Sequence, residues 1–478
     1  MENGMCLTIE EIASACGGKL FLHKGIRSDI NVTSVVLDSK NVTAGGVFIA
    51  VVGKRTDGHK FVTSAFAEGA VLAVVSKTPE QFSKETGVSD LDWGCYVLVE
   101  DTLQALKEIA EYYREKLDVK VVGITGSSGK TSTKEFVAGV LAEKYDVLKT
   151  EGNFNNEVGV PLTLLRIRRE HQVAVVEMGI SDFGEMHRLS KMAKPDICVI
   201  TNIGQSHLDN LKTRDGILEA KSEIFDFMAE DGEVCLNGED DKLFDLSEVR
   251  GHKPHFFGFG QKPGQEVYAA DIVSRGLWGS DAVIRMGEEA VAVHVPLPGI
   301  HMVLNAAAAA CVARVLGLTA EQIAAGIEKV SPVGGRNHLI RLPGYTLIDD
   351  SYNANLDSMK KALDLLDMAD TEKVAVLGDM FGLGEEHVKE FHEHVGTYAA
   401  EKGISRIVCV GERSRHMFQA AGRRAKESCQ ITHFLSLEAL LTALTMEREK
   451  YIPEGCTVLI KASHAMELEK VVEFLTKE

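Results

Sequence analysis

A chain of 478 residues is longer than one hydrophobic core usually serves, so two to four domains are expected. Its 45% hydrophobic and 26% charged residues are those of an ordinary folded protein and exclude a disordered or low-complexity chain. With 52 basic against 70 acidic residues, a net charge of −18 and no long basic run, broad nucleic-acid or membrane-surface binding is excluded, and any anionic ligand has to be held locally.

The first stretch, "MENGMCLTIEEIASACGG", has no basic segment followed by an apolar core and does not read as a secretory signal. From about Leu7 to Glu100, short β-rich runs such as "GGVFIAVVG", "GAVLAVVSK" and "CYVLVE" alternate with polar or helical pieces, which predicts a small α/β domain over residues 1–101. Leu103, Leu106, Ala110, Tyr113 and Leu117 then stand at helical spacing and lead into "VKVVGIT". Over residues 102–330 the chain repeats strand, turn and helix: "VVGIT", "VAVVEMG" and "ICVITNIG" are each followed by helical sequence, which predicts a mostly parallel sheet of the phosphate-loop ATPase type. The apolar run Ala306 to Ala313 is too short for a membrane span, so no membrane insertion is expected. After the break "SPVGGRNH", residues 331–478 supply "TLIDD", "KVAVLGD", "RIVCVG" and "TVLIKAS", the pattern of a doubly wound, Rossmann-like domain. The fold class is therefore α/β in three domains. Nine cysteines without a C-x-x-C pair read as reduced thiols of a cytoplasmic protein.

The stretch "VVGITGSSGKTSTKEF" carries the first chemistry. It lacks one glycine of the general pattern G-x-x-x-x-G-K-[ST], because Ile124 stands in that place. A strand still ends at Thr125 and a helix still begins near Lys130, so unpaired N–H groups and the positive end of a helix dipole face one spot. Gly126 and Gly129 let the backbone of Ser127 and Ser128 curl around phosphate oxygens. Lys130 supplies a charge for the β- and γ-phosphates, and Thr131, followed by Ser132, offers a hydroxyl to Mg²⁺. The loop alone leaves ATP and GTP open. No Asn is followed by Lys, so the Asn-Lys-x-Asp that reads guanine is missing, and ATP is the better expectation.

Two later strands end near Glu177 and His207, at the edge where ligands of open α/β sheets bind, which makes both candidate metal ligands. Lys221 in "GILEAKSEIF" reads, from the residues alone, as a solvated helix lysine.

Taken together, the shortened Gly-x-x-Gly-Lys-Thr loop, "TEGNFNNEVGVPLTLL", "VVEMGISDFGEMHRL", "TNIGQSHLDNL", "EAKSEIF", "GGR", "DDSYNANLDSM" and "AVLGDM" resemble, in order, the ATP-dependent Mur ligases of bacterial cell-wall synthesis. In the first domain "DSK" and "GGVFIAVVGKRTDGHKF" are similar to the family's uridine-nucleotide segment, which points to Ser39, Lys54, Thr56, Asp57 and Gly58. The resemblance implies ATP-driven amide formation through an acyl phosphate. Its implied substrates are a UDP-linked muramoyl tripeptide and D-alanyl-D-alanine. Lys130, Glu177, His207 and Lys221 would be catalytic. Thr131, Glu177, His207 and a carbamate on Lys221 would hold two Mg²⁺ ions. Asn305 would lie near the adenine, and Arg336 and Asp350 would reach the ATP phosphates and ribose as the last domain closes. Asn153, Asn155 and Asn156 would meet the muramoyl substrate, with an Asx-turn as the competing reading of that loop. A monomer is expected.

Two places depart from the family's spelling: Lys461, Ala462, Ser463 and His464 stand where Lys-Gly-Ser-Arg is usual, and Gly382, Leu383 and Gly384 where Glu-Leu-Gly is usual. Other readings are a ligase of the same superfamily, such as one making folate polyglutamates, and a nucleotide-switched binding protein that makes no bond. Substrate-dependent phosphate release separates the ligase from the switch.

Overall fold

Runs of β-branched and aliphatic residues place three sheets along the chain, and most of their neighbouring strands are parallel. The computed structural model describes all residues except 1–3, 54, 55, 89, 90, 92, 205–207, 261, 263, 332–337, 384–386 and 478. The chain divides into two units, one of Met1–Ala270, Val283–Val293 and Leu304–Ile327, the other of Asp271–Ala282, His294–Val303 and Glu328–Glu478.

The first sheet runs in the order Lys19–Phe21, Tyr96–Leu98, Ala70–Val75, Gly46–Ile49, Val35–Val36, antiparallel only between its first two strands. Val47, Phe48, Ile49 and Leu72 to Val75 are fully buried, as strands covered on both faces require. Asp101 then caps helix Thr102–Glu115, its carboxylate accepting from Leu103 N at 2.8 Å and Gln104 N at 3.2 Å. The helix buries Ala105, Leu106, Ile109, Ala110 and Tyr113, so Leu106, Ala110 and Tyr113 face inward as their spacing predicts. One hydrophobic core runs from Met5 to Phe256, so the first sheet and the sheet that follows pack as one body.

That second sheet has nine strands in the order Glu289–Val295, Ser280–Met286, Gln265–Ser274, His255–Phe259, Glu233–Asn237, Ile197–Ile200, Lys120–Thr125, Val173–Glu177, Val147–Lys149. The strand and helix rhythm expected to residue 330 holds only to about Phe244. Beyond it, among the described residues, the strands from His255 to Val295 follow one another with only the one-turn helix Gly276–Trp278 between them. Their alternation of buried and exposed residues, as in Ser280–Met286, is that of strands with one open face.

In the second unit the order is His338–Leu342, Tyr345–Asp349, Thr457–Lys461, Lys373–Gly378, Arg406–Val410, Gln430–Phe434, with only the first pair antiparallel. Separate apolar clusters cover this sheet, one around Leu363, Leu366 and Val395 and the other around Leu440, Val471 and Leu475. The nine cysteines are free thiols. Among the described residues no helix is long and apolar enough to cross a membrane.

One ionic cluster ties three strands of the second sheet. His255 Nδ1 lies 2.7 Å from Glu266 Oε2 and its Nε2 lies 2.9 Å from Glu233 Oε2. Partial burial opposes protonation of the ring, but hydrogen bonds to Glu266 and Glu233 outweigh it and hold its pKa above the ordinary histidine range. A raised folded-state pKa adds stability that is present below the unfolded histidine pKa and fades as pH rises through the raised value. We therefore expect His255→Ala to destabilise the first unit more at pH 5.5 than at pH 9, read by urea unfolding, whereas an equal loss at both would contradict this charge state.

Candidate nucleotide and metal site

The strand Lys120–Thr125 pairs with Val173–Glu177 on one side and Ile197–Ile200 on the other, in parallel, so the ends of three strands converge at Thr125, Glu177 and Thr201. The phosphate loop leaves the middle strand. Gly126 has φ +146°, and a Cβ there would fall 1.9 Å from Thr201 Oγ1. Gly129 is left-handed at φ +80° and directly precedes helix Lys130–Leu141. Both glycines are thus required, although Ile124 replaces the first glycine of the general pattern.

The strand on the other side holds the loop's shape. Thr201 Oγ1 donates to Ser128 O at 2.6 Å. The Asn202 side chain accepts from Ser128 N at 3.0 Å and donates to Ser128 Oγ at 2.9 Å. Ser127 Oγ accepts from Gly204 N at 2.8 Å. Thr201 and Asn202 escaped the sequence reading, which runs the strand "ICVITNIG" on toward His207, whereas the strand ends at Ile200 and leaves both residues free to turn toward the loop.

Lys130 Nζ folds back to donate to Gly126 O at 2.8 Å. Thr131, one residue on, is buried and its hydroxyl donates to Glu177 Oε1 at 3.2 Å. The same oxygen accepts from Asn155 Nδ2 at 2.8 Å, and Glu177 N donates to Thr150 Oγ1 at 3.0 Å. Glu177 Oε2 is buried with no hydrogen-bond partner among the described residues. The buried carboxylate beside the Thr131 hydroxyl is an all-oxygen donor set of the kind a hard cation takes. Ser132 sits half-buried on the first turn of the helix.

Lys221 lies in helix Arg214–Ser222 and is 2% exposed, so it is not the solvated lysine that its surroundings in sequence imply. Burial, with the Lys130 charge adding to it, lowers its pKa to about 7. Asn305, in helix Ile300–Val315, accepts from Thr133 Oγ1 at 3.1 Å and lies beside Gly129, 3.6 Å from where a Cβ would be. It therefore stands over the first turn of the loop's helix. His207 lies outside the described residues, as do Lys54 and Arg336.

The asparagine loop separates into different roles. Asn155 reaches the Glu177 carboxylate as described, whereas Asn156 Oδ1 accepts from Val158 N at 3.1 Å and Gly159 N at 2.9 Å, an Asx-type turn entering helix Gly159–Leu164. Asn153 is exposed, and its carbonyl accepts from Asn155 N at 2.7 Å.

In the first sheet's domain, Ser39 is buried in the short helix Ser39–Asn41 and lines a cavity of about 590 Å³ with Asp38, Lys40, Phe61 and Ser64. Thr56 is exposed, with its carbonyl accepting from Gly53 N at 2.9 Å. Asp57 is held by neighbours in its own domain. Its Oδ1 accepts from His59 N at 3.0 Å and lies 2.6 Å from His59 Nδ1, while Oδ2 pairs with Lys77 at 3.3 Å. Burial opposes its ionisation, but His59 and Lys77 hold its carboxyl below the usual range. At Gly58 a Cβ would fall 2.8 Å from the backbone of Ala50 and Val51, which only glycine avoids.

Within the second unit, Asp350 is buried and paired with Lys461, whose Nζ donates to Asp350 Oδ2 at 2.5 Å and to Asn353 O at 2.8 Å. The departing residues fit the same fold: Ala462 is fully buried under Gly378, and His464 is exposed with its ring 5.6 Å from that of Tyr352. Gly382 is left-handed at φ +72°, a conformation that the usual glutamate adopts only with strain, and Gly384 lies outside the described residues.

Three family profiles match the chain: "Mur ligase family, catalytic domain" over residues 31–114, "Mur ligase middle domain" over 124–313 and "Mur ligase, glutamate ligase domain" over 335–464. The UDP-N-acetylmuramoyl-tripeptide–D-alanyl-D-alanine ligase of Bacillus subtilis (strain 168) is 34% identical over 471 residues, covering 98% of each chain. Among solved structures, MurF from Acinetobacter baumannii is similar at a TM-score of 0.87 with 31% identity over 99% of each chain. MurF ligase from Thermotoga maritima in complex with ADP is similar at 0.75 with 30% identity, over 93% of this chain and 97% of that one.

The two asparagines can be told apart experimentally. Losing a cap of the Asn156 kind costs about 1 kcal/mol. Asn156→Ala should lower unfolding stability by that order with ATP affinity unchanged, while a variant of native stability and weakened ATP binding would contradict the capping role.

Proposed function

The chain belongs to the Mur ligase family, and from that premise we propose that it joins D-alanyl-D-alanine to UDP-N-acetylmuramoyl-tripeptide using ATP. The observation that carries this reading is the buried Thr131 and Glu177 pair at the mouth of a phosphate loop, in a chain similar along nearly its whole length to a ligase of that name. In the proposed reaction a carboxylate oxygen of the tripeptide attacks the γ-phosphorus and the bond to ADP breaks. The dipeptide amine then attacks the carbonyl carbon of the acyl phosphate, the C–O bond breaks, phosphate leaves and the amine gives up a proton. No protein nucleophile is needed, so catalysis rests on positioning and charge neutralisation.

Lys130, released from Gly126 O, would meet the transferring phosphoryl group. Magnesium, held by Thr131 and Glu177, would neutralise phosphate charge and let carboxylate and phosphate approach. We assign a second ion to His207 with Lys221 as its carbamate. Asn305, Arg336 and Asp350 are assigned to ATP, and Ser39, Lys54, Thr56, Asp57, Asn153, Asn155 and Asn156 to the UDP-linked substrate. Asn155 then has a dual position, because its amide already holds the metal carboxylate. Our domain limits remain 1–101, 102–330 and 331–478. We take the protein to be a cytoplasmic monomer.

The carbamate reading has support in the burial of Lys221 and in its lowered pKa of about 7. A neutral amine can add to carbon dioxide, forming the N–C bond and releasing one proton. Protein kept in ¹³C-bicarbonate at pH 8 should show one carbamate carbon resonance that is missing in Lys221→Arg and fades as pH falls below about 7. A plain amine at pH 8 would contradict it.

The function itself is tested by phosphate release with Mg²⁺, ATP and UDP-muramoyl tripeptide, with mass spectrometry of the product. The reading predicts release that requires D-alanyl-D-alanine and yields the pentapeptide. ATP hydrolysis indifferent to the dipeptide would point to a switch or to another acceptor.

A further inference from the structure

The helix after the phosphate loop carries a second lysine, one turn beyond Lys130. Lys134 is 1% exposed and among the largest fully buried side chains of the protein. Taking an ammonium out of water costs several kcal/mol unless it is paired and hydrogen-bonded. Its Nζ donates to Thr150 O at 2.7 Å and lies 3.2 Å from Glu135 Oε1. Glu135 is shared, because its other oxygen pairs with Lys149 on the outer side. The remaining direction of the Lys134 charge is toward Glu177 Oε2, at 3.8 Å, which is an ion-pair distance and too long for a hydrogen bond.

These contacts surround Glu177 asymmetrically. Thr150 fixes both partners, its hydroxyl accepting from Glu177 N and its carbonyl accepting from Lys134. Oε1 is held by Thr131 and Asn155, while Oε2 has only the Lys134 charge near it among the described residues. A carboxylate on a free side-chain torsion would rotate between these surroundings, and a fixed cation on one side biases it to one orientation.

We propose that Lys134 is a positioning residue for the metal carboxylate: anchored on Thr150, it sets the orientation of Glu177 that a divalent cation needs at Thr131. The proposal rests on reading Thr131 and Glu177 as a magnesium site. The bland alternative is that Lys134 only pins its helix to the neighbouring strand through Thr150 and Glu135. The two differ in what loss of each partner does. Outer partners of metal ligands change metal affinity by roughly tenfold or more, whereas a pinning contact changes only stability.

The test is Mn²⁺ binding to the full chain with ADP present, followed by EPR, so that turnover is not the readout. Lys134→Gln keeps a donor for Thr150 and removes the charge. It should weaken Mn²⁺ binding by roughly tenfold or more. Lys134→Arg, which keeps the charge, should recover much of that loss, and Glu135→Gln should bind close to wild type. Wild-type affinity in Lys134→Gln, or an equal loss in Glu135→Gln, would overturn the proposal. If Lys134→Gln alone does not fold, the double variant with Glu177→Gln should regain folding, because neither charge is then left unpaired; failure to regain it would contradict the coupling. Mn²⁺ binding undiminished by Glu177→Gln alone would overturn the metal reading, and the proposal with it.

Discussion

A carboxylate buried at the end of a central strand is the constraint on which the rest of the site depends. Glu177 is 1% exposed, and an anion in that position survives only with donors and cations arranged around it. The fold supplies them from separate elements: a hydroxyl from the phosphate-loop helix, an amide from the asparagine loop, a backbone anchor from Thr150 and a buried ammonium from Lys134. Parallel pairing of the middle strand on both sides is what brings these elements to one edge.

The same arrangement explains how a protein with a net charge of −18 can hold a polyanionic nucleotide. The attraction is local. Lys130 lies on the first turn of the helix that follows the loop, where the helix N-terminus adds its own positive end. The shortened loop loses one glycine of the general pattern, but Gly126 under Thr201 and left-handed Gly129 keep the turn, with Thr201 and Asn202 bracing it from the next strand. In the proposed reaction the ligands have to be placed rather than attacked by the protein. A braced loop over a fixed carboxylate does that.

Much of this was legible in the sequence because it is local. The loop, the strand end at Glu177, the helix after Asp101 and the three-sheet plan follow from runs of apolar residues and from turn chemistry within a few residues. What escaped depends on residues far apart in the chain. Lys134 was not singled out in the sequence, and only the fold places Thr150 and Glu177 against it. Lys221 misled, and its burial comes from tertiary packing that no window of sequence records. Asn155 and Asn156 are neighbours of one residue type, yet one binds a carboxylate and the other caps a helix, a difference set by backbone geometry alone. The strands from His255 to Val295 broke the expected rhythm because short alternating runs mark a strand without saying that a helix will not follow.

The central claim is that this site activates a carboxylate by phosphorylation. The most direct measurement is a single turnover with tripeptide labelled by ¹⁸O in its terminal carboxylate, followed by mass spectrometry of the released phosphate. The account predicts one ¹⁸O atom in the phosphate, carried there when the acyl phosphate C–O bond breaks. Phosphate free of label, with pentapeptide formed, would contradict it.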